Sequence, residues 1–245
     1  MIGPTRRAGR HSRVPVFTFV PEPGMPALWA MRIDRAALEH VGATGHVHDF
    51  PGLVLFERSG GEVRRQDDSW SIAPGDGFLI RPGELVEVAD PDSMVAAGAW
   101  GLYFMPAAVA SAGPLATETP LSWQAHPLLW PFAVPDDVPL RFHVPPSDLP
   151  MWTTGLTTIE RELQERADGY QQAAVAQLTL LLVAAARLLD GVRPERPRDS
   201  DLLARALAVI ERRFAGPLSL ADVAAELHLS PGYLTTSLRE RTGRT

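Results

Sequence analysis

The chain has 245 residues, 45% of them hydrophobic, and a formal net charge of −6. That is enough chain for two modest domains with real cores, and the lack of any cysteine excludes disulfides, thiolate metal sites and cysteine nucleophiles. The longest apolar run, around residues 178–186, is too short to span a membrane, and the basic N-terminus lacks the apolar core of a signal peptide, so a cytoplasmic protein without a membrane partner is expected.

Residues 1–15 carry Arg6, Arg7, Arg10 and Arg13 with little apolar content, which predicts a flexible basic arm. From residue 16 the pattern is β. Short apolar or alternating runs at 16–20, 28–33, 53–58, 62–66, 69–72, 77–80, 85–88 and 95–104 are separated by Gly, Pro and Asp. Ser59-Gly60-Gly61, Pro74-Gly75-Asp76 and Arg81-Pro82-Gly83 read as tight turns. Residues 106–150 form a Pro-rich connector with a further strand at 140–144. Its Trp123, Trp130 and Phe132 read either as structural cover for the strands or as a pocket lid.

Residues 148–190 are helical. Leu149, Trp152, Leu156, Ile159 and Leu163 share one face. The second helix of this segment is apolar over most of its circumference, so it needs partners on more than one side. The upstream strands and the sister helix are one outlet; a twofold dimer contact is the other. Residues 191–199 have the composition of a linker. A helix over 200–214 then buries Leu202, Leu203, Ala206, Leu207, Ile210 and Phe214 and is closed by Gly216-Pro217.

The last stretch predicts two short helices. Ser219 is an N-cap, Asp222 suits the first turn, and Leu220, Val223, Ala224 and Leu227 keep helical spacing. His228 and Leu229 make a corner; Ser230-Pro231 restarts a helix whose buried face is Leu234 and Leu238, and Gly243 ends it. A small residue at Ala224 lets the helices approach. On spacing alone this is either an ordinary helical hairpin or a helix-turn-helix whose second helix enters a DNA major groove. Residues 199–245 are electrically neutral, with six Arg (205, 212, 213, 239, 241, 244) against six carboxylates, so non-specific DNA affinity from this piece is weak.

The wording of the run narrows this choice. Leu218, Ser219, Leu220, Val223, Ala224, Leu227, Leu229, Ser230, Tyr233, Leu234, Thr242 and Gly243 give it a pattern that resembles the first helix-turn-helix of the AraC/XylS family of transcription regulators. Ser237 and Leu238 depart from that pattern; both are smaller than the usual residues. The resemblance implies promoter DNA as a partner, with Ser230, Gly232, Tyr233, Thr235, Thr236 and Arg239 on the DNA-facing helix and Arg241 and Arg244 near phosphate. It also implies a homodimer through the 148–190 helices. The family pattern continues with a second helix-turn-helix, whereas this sequence stops at Thr245, which leaves either a naturally short or a truncated chain.

A second resemblance lies upstream. Gly45-His46-Val47-His48-Asp49-Phe50, Gly60-Gly61 and the run from Pro74 to Glu84 are similar to the cupin, or double-stranded β-helix, sensor domain. The expected fold is therefore α+β: a cupin-type effector-binding barrel over 16–147, a helical dimerisation segment over 148–190, a linker over 191–199 and a partial DNA-binding domain over 200–245. His46 and His48, at i and i+2 on a strand, point to one face and are candidate metal ligands. Metal-binding cupins add a Glu and a third His, and here Gly52 and Val86 stand at about those places, so no metal or other cofactor is expected. The preferred role for the pair is lining the mouth of a small-molecule site. His46, His48, Phe56, Arg58, Trp70 and Tyr103 are the effector candidates. Arg58 points either to an anionic or polyol ligand or to an exposed hairpin Arg. No nucleophile or acid/base motif is present, so an enzyme is not expected. The sequence thus predicts a ligand-responsive transcription regulator; a sensor fragment that does not bind DNA and a metal-dependent cupin enzyme are the alternatives.

Overall fold

A computed structural model describes residues 5–11, 14–41, 45–65, 68–87, 90–112, 126–133, 140–189, 218–227 and 229–242, and the single positions 123, 202, 206, 209, 210, 212, 213 and 216. The architecture is mixed α+β. One sheet has the order β1 (Thr5–His11), β2 (Val14–Phe19), β4 (His46–His48), β9 (Leu85–Val86), with β2 and β4 parallel. The other is antiparallel, in the order β11 (Arg141–His143), β8 (Asp76–Ile80), β5 (Gly52–Phe56), β10 (Ala99–Phe104), β3 (Leu28–Arg32). A separate hairpin joins β6 (Glu62–Arg65) to β7 (Asp68–Ser71).

The five-stranded sheet is buried on both faces. Successive side chains of a strand point to opposite sides. On β5, Leu53 and Leu55 join one core while Val54 and Phe56 join another. On β8, Leu79 faces the first core and Phe78 and Ile80 the second. The first core lies under two helices, α3 (Leu149–Glu165) and α4 (Tyr170–Leu188). Trp152, Leu156, Ile159 and Leu163 form the packed stripe of α3, and Trp152 stacks on Phe142 of β11 with centroids 5.5 Å apart. The second core lies on the side of the four-stranded sheet. Gly75 is required at its turn: it sits at φ +88°, and a Cβ there would fall 2.3 Å from the Val144 carbonyl oxygen.

Trp123, Leu129, Trp130 and Phe132 of the connector belong to the core under the helices, which makes them structural cover. In length and composition α4 could cross a bilayer, which the shorter run around 178–186 did not reveal. Its Ala174, Leu178, Leu181, Leu182 and Ala185 are buried in the core instead, while Leu180 on its outer face is exposed.

Two segments differ from the sequence-based expectation and a third adds to it. Residues 5–11 were expected to be a flexible arm but form β1, paired antiparallel with β2. Edge pairing satisfies backbone groups and needs no apolar side chains, so composition does not reveal it. Residues 35–41, to which the sequence pattern assigned no element, form helix α1 (Arg35–Val41), where Asp34 accepts from the Ala37 amide at 2.8 Å. The strand expected from residue 95 starts at Ala99, because Asp90 caps a helix α2 (Pro91–Ala96) with proline at its first turn.

The C-terminal helices are α5 (Leu220–Glu226) and α6 (Pro231–Thr242). The described positions of 202–213 are helical. Leu202, Ala206 and Val209, spaced by four and three residues, bury one face against Val223, Ala224, Leu227 and Leu234. Val209 takes the place expected of Ile210, which is 38% exposed. The positions 191–199, Leu203, Leu207, Phe214, His228, Gly243 and Arg244 lie outside the described residues.

Candidate functional site

A cavity of about 70 Å³ lies between the two sheets. The four-stranded sheet supplies Thr5, Phe17, His46, His48 and Val86; the five-stranded sheet supplies Trp29, Met31, Val54, Phe78, Ile80 and Tyr103. Helices α1 and α2 add Ala37, Leu38, His40 and Met94. The space is several times the roughly 10–15 Å³ that one water needs, so it admits a small organic molecule.

The site builds up from strand alternation. On β2 every second residue is buried, which sends Phe17 inward. On β4 His46 and His48 emerge on the same face, each 5% exposed, with ring centroids 4.7 Å apart. Phe17 meets both rings edge-on, at 5.9 and 6.3 Å. Phe50 lies 4.7 Å and Tyr103 5.2 Å from the His48 ring. The Tyr103 ring rests over the glycines of its own and the neighbouring strand: a Cβ at Gly52 or Gly101 would come within 2.7 Å of it.

Burial fixes the charge state of this wall. It lowers the His46 pKa to about 4, and burial together with the neighbouring His46 lowers that of His48 to about 3. Burial pushes the Tyr103 hydroxyl up to about 12. All three groups are therefore neutral at pH 7. The Nδ1 atoms of His46 and His48 and the Trp29 Nε1 are buried with no hydrogen-bond partner among the described residues. His40 brings a third imidazole to the wall, but among the described residues no three His, Asp or Glu side chains converge as a metal site would require.

The six sequence-derived candidates separate here. His46, His48 and Tyr103 line the cavity. Phe56 is fully buried in the core beside it and is not part of the lining. Trp70 sits on β7 under the Arg141 guanidinium, 4.9 Å from its ring centre, away from the cavity. Arg58 is the exposed hairpin Arg: its side chain is 60% exposed and its Nε donates to the Ala96 carbonyl at 3.1 Å, which removes the basis for an anionic or polyol ligand. Sequence reasoning missed His40, Thr5, Trp29 and Met31. For His40 the Asp34 cap before Arg-Ala-Ala-Leu was an available signal; for Thr5 there was none.

The second candidate surface is the C-terminal helix pair. Ser219 and Asp222 form a reciprocal capping box, with Asp222 N–H donating to Ser219 Oγ at 3.2 Å and Ser219 N–H donating to Asp222 Oδ2 at 2.8 Å. The corner closes with the Leu229 amide donating to the Ala224 carbonyl at 2.8 Å, and Ala224 is completely buried where the helices meet. Ser230 Oγ accepts from the Tyr233 amide at 3.2 Å and starts α6. Leu234 is fully buried, while Ser230, Gly232, Tyr233 and Thr236 are exposed and Thr235 is half-buried. Thr235 Oγ1 donates back to the Pro231 carbonyl at 2.9 Å. Arg239 and Arg241 occupy positions on α6. Arg212 and Arg213 both pair with Glu226 of α5, tying the preceding helix to the pair.

No protein-family model and no curated protein sequence matches the chain. Among solved structures, the AraC-like transcriptional activator CuxR is 16% identical with a TM-score of 0.35, over 80% of this chain and 63% of CuxR. An apo form of ToxT from Vibrio cholerae strain SCE256 is 11% identical with a TM-score of 0.37, over 89% of this chain and 73% of that one. Wild-type ToxT from the same strain, bound to an unsaturated fatty acid, is 10% identical with a TM-score of 0.34, over 89% and 71%. The chain thus spans less than two thirds of the length of CuxR.

Proposed function

We propose that this chain is a ligand-responsive transcription regulator of AraC type: a cupin-like sensor domain, a helical dimerisation segment over 148–190 and a DNA-binding region over 200–245. The observation that carries the reading is the capped helix pair α5–α6. Its corner is closed tightly around Ala224, its core is shared with the helix before it, and the start of its second helix is left exposed. That is what a helix-turn-helix needs, with residues early in the second helix free to reach base edges. Gly232, Thr235, Thr236 and Arg239 are the base-edge residues in this reading, with Ser230 and Tyr233 beside them and Arg241 and Arg244 near phosphate.

The effector occupies the cavity between the sheets and biases how the linker 191–199 presents the helix pair, a two-state coupling. A homodimer through α3 and α4 places two helix pairs on one site, which a single motif of neutral overall charge needs for useful affinity. The test is a mobility shift of the chain on DNA from upstream of its own coding region. Retarded DNA that weakens with Arg239→Ala supports the reading, and unchanged affinity removes Arg239 from it. A second reading, a dimeric sensor that does not bind DNA, draws support from Arg212 and Arg213 being committed to Glu226 rather than free for phosphate. No retardation at low salt decides for it.

A further inference from the structure

We propose that the cavity takes a small, neutral, mostly apolar molecule with one hydrogen-bonding group, such as a phenol, alcohol or ketone, held by the His46–His48 pair, and that it rejects carboxylates and sugars. The inference deepens the effector reading above and rests on it.

The composition of the wall carries the argument. Every element around the cavity contributes to it, and none brings an Asp, Glu or Arg to it among the described residues. Among the described residues the titratable groups facing the space are His40 from α1, His46 and His48 from β4, and Tyr103 from β10. The rest of the wall is apolar or aromatic apart from Thr5 and the Trp29 indole. A carboxylate entering this space would lose its hydration and meet no Arg side chain among the described lining, and burial keeps the His46–His48 pair neutral. A sugar would need a partner for each of its hydroxyls, and unpaired buried hydroxyls weigh heavily against binding.

A neutral ligand with one polar end meets neither penalty. Its body is matched by Phe17, Met31, Val54, Phe78 and Ile80. Its polar end finds two imidazoles, each with a ring nitrogen that no protein group satisfies among the described residues. A neutral imidazole both donates and accepts, so the pair serves a hydroxyl or a carbonyl equally. The arrangement of a predominantly apolar pocket with a few converging polar groups is the usual one for small-molecule sites.

The test uses the purified full chain at pH 7.5 and four small probes: 4-ethylphenol, ethylbenzene, 4-ethylbenzoate and glucose. Binding is read by titration calorimetry and by the rise in Tm. 4-Ethylphenol is expected to bind roughly 3- to 10-fold more tightly than ethylbenzene, the ratio that one hydrogen bond supplies, with no heat from 4-ethylbenzoate or glucose. Val54→Trp, which fills the cavity, abolishes binding of both neutral probes. His48→Phe keeps ethylbenzene binding and erases the preference for the phenol; His46→Phe serves the same purpose if His48→Phe does not fold. Equal affinity for 4-ethylphenol and ethylbenzene in the unmodified chain overturns the role of the imidazoles. Val54→Trp-sensitive binding of 4-ethylbenzoate or glucose that exceeds the phenol overturns the ligand class while leaving an effector site in place. Absence of binding by every probe also overturns the class, and the effector reading is then decided by the DNA shift, with and without material co-purified in the cavity.

Discussion

The two-sheet region and the C-terminal helix pair solve the same problem by different means. In the helix pair the decisive groups are close in sequence. Ser219 and Asp222 cap one helix, the Leu229 amide closes on the Ala224 carbonyl, and Ser230 caps the next helix. In the sheet region they are far apart: His48 meets Phe17 and Tyr103, and shares a cavity with Val54, only because β2, β4, β5 and β10 are brought together across many tens of residues. The first kind of structure is written in local spacing. The second depends on register, where a slip of one residue would turn each inward side chain outward. The contrast also explains the polar groups. The helix pair satisfies its capping groups locally, whereas among the described residues the cavity wall holds two imidazole nitrogens and an indole nitrogen without a hydrogen-bond partner.

Acid should separate the two regions most strongly. The unfolded chain protonates its histidines near pH 6.5, while in the folded state His46 and His48 do so only near 4 and 3. The unfolded state therefore binds more protons in this window, and stability that is fully present above pH 6.5 falls as the pH drops toward 3. At about 1.4 kcal/mol per pK unit the loss amounts to several kcal/mol. Urea unfolding followed by tryptophan fluorescence should show it in the sheet region, and the His46→Phe/His48→Phe double variant should flatten the slope; an equal slope in both proteins would remove the pair as its cause.

Next in size is Leu234→Ala. This fully buried side chain holds α6 on α5 and on the preceding helix, and truncation at such a site costs roughly 2–5 kcal/mol. The expected result is loss of amide protection in 218–242 with the cavity's ligand affinity unchanged. Comparable exchange in both regions would mean that they unfold as one unit. Ser219→Ala removes one side of the capping box and should cost about 1 kcal/mol, seen as faster exchange confined to the first turn of α5. The smallest effect on stability is expected from Leu180→Arg, since the side chain is 58% exposed and a surface change of this kind stays within about 0.5 kcal/mol. Its effect should instead be on the proposed assembly: the unsubstituted chain is expected to sediment as a dimer and the variant as a monomer, and an unchanged dimer would move the interface away from the outer face of α4.

Several features were legible before any coordinates. The stripe Trp152, Leu156, Ile159 and Leu163 declares its helix through spacing alone, as the Ser219 and Ser230 caps declare theirs. The i, i+2 placement of His46 and His48 correctly put both rings on one face. The errors have a common origin. β1 escaped notice because a strand added at an edge needs hydrogen-bonding backbone more than apolar side chains. Arg58, Phe56 and Trp70 were grouped with the histidines as barrel-facing aromatic and hydrogen-bonding residues, yet they do not line the cavity: Phe56 packs in the core, Trp70 lies under Arg141 and the Arg58 side chain is exposed.

Sequence by itself determined that 149–188 and the C-terminal pair are helical, where the Ser219 and Ser230 caps fall, and that two histidines share a face, because each of these depends on contacts within a few residues. Tertiary structure alone decided that a cavity exists, that His40, Trp29 and Met31 join its wall while Arg58 stays outside, and that the imidazoles are neutral. Those outcomes depend on which strands pair and on how deeply burial removes water from a side chain, and both are set by residues distant in the chain.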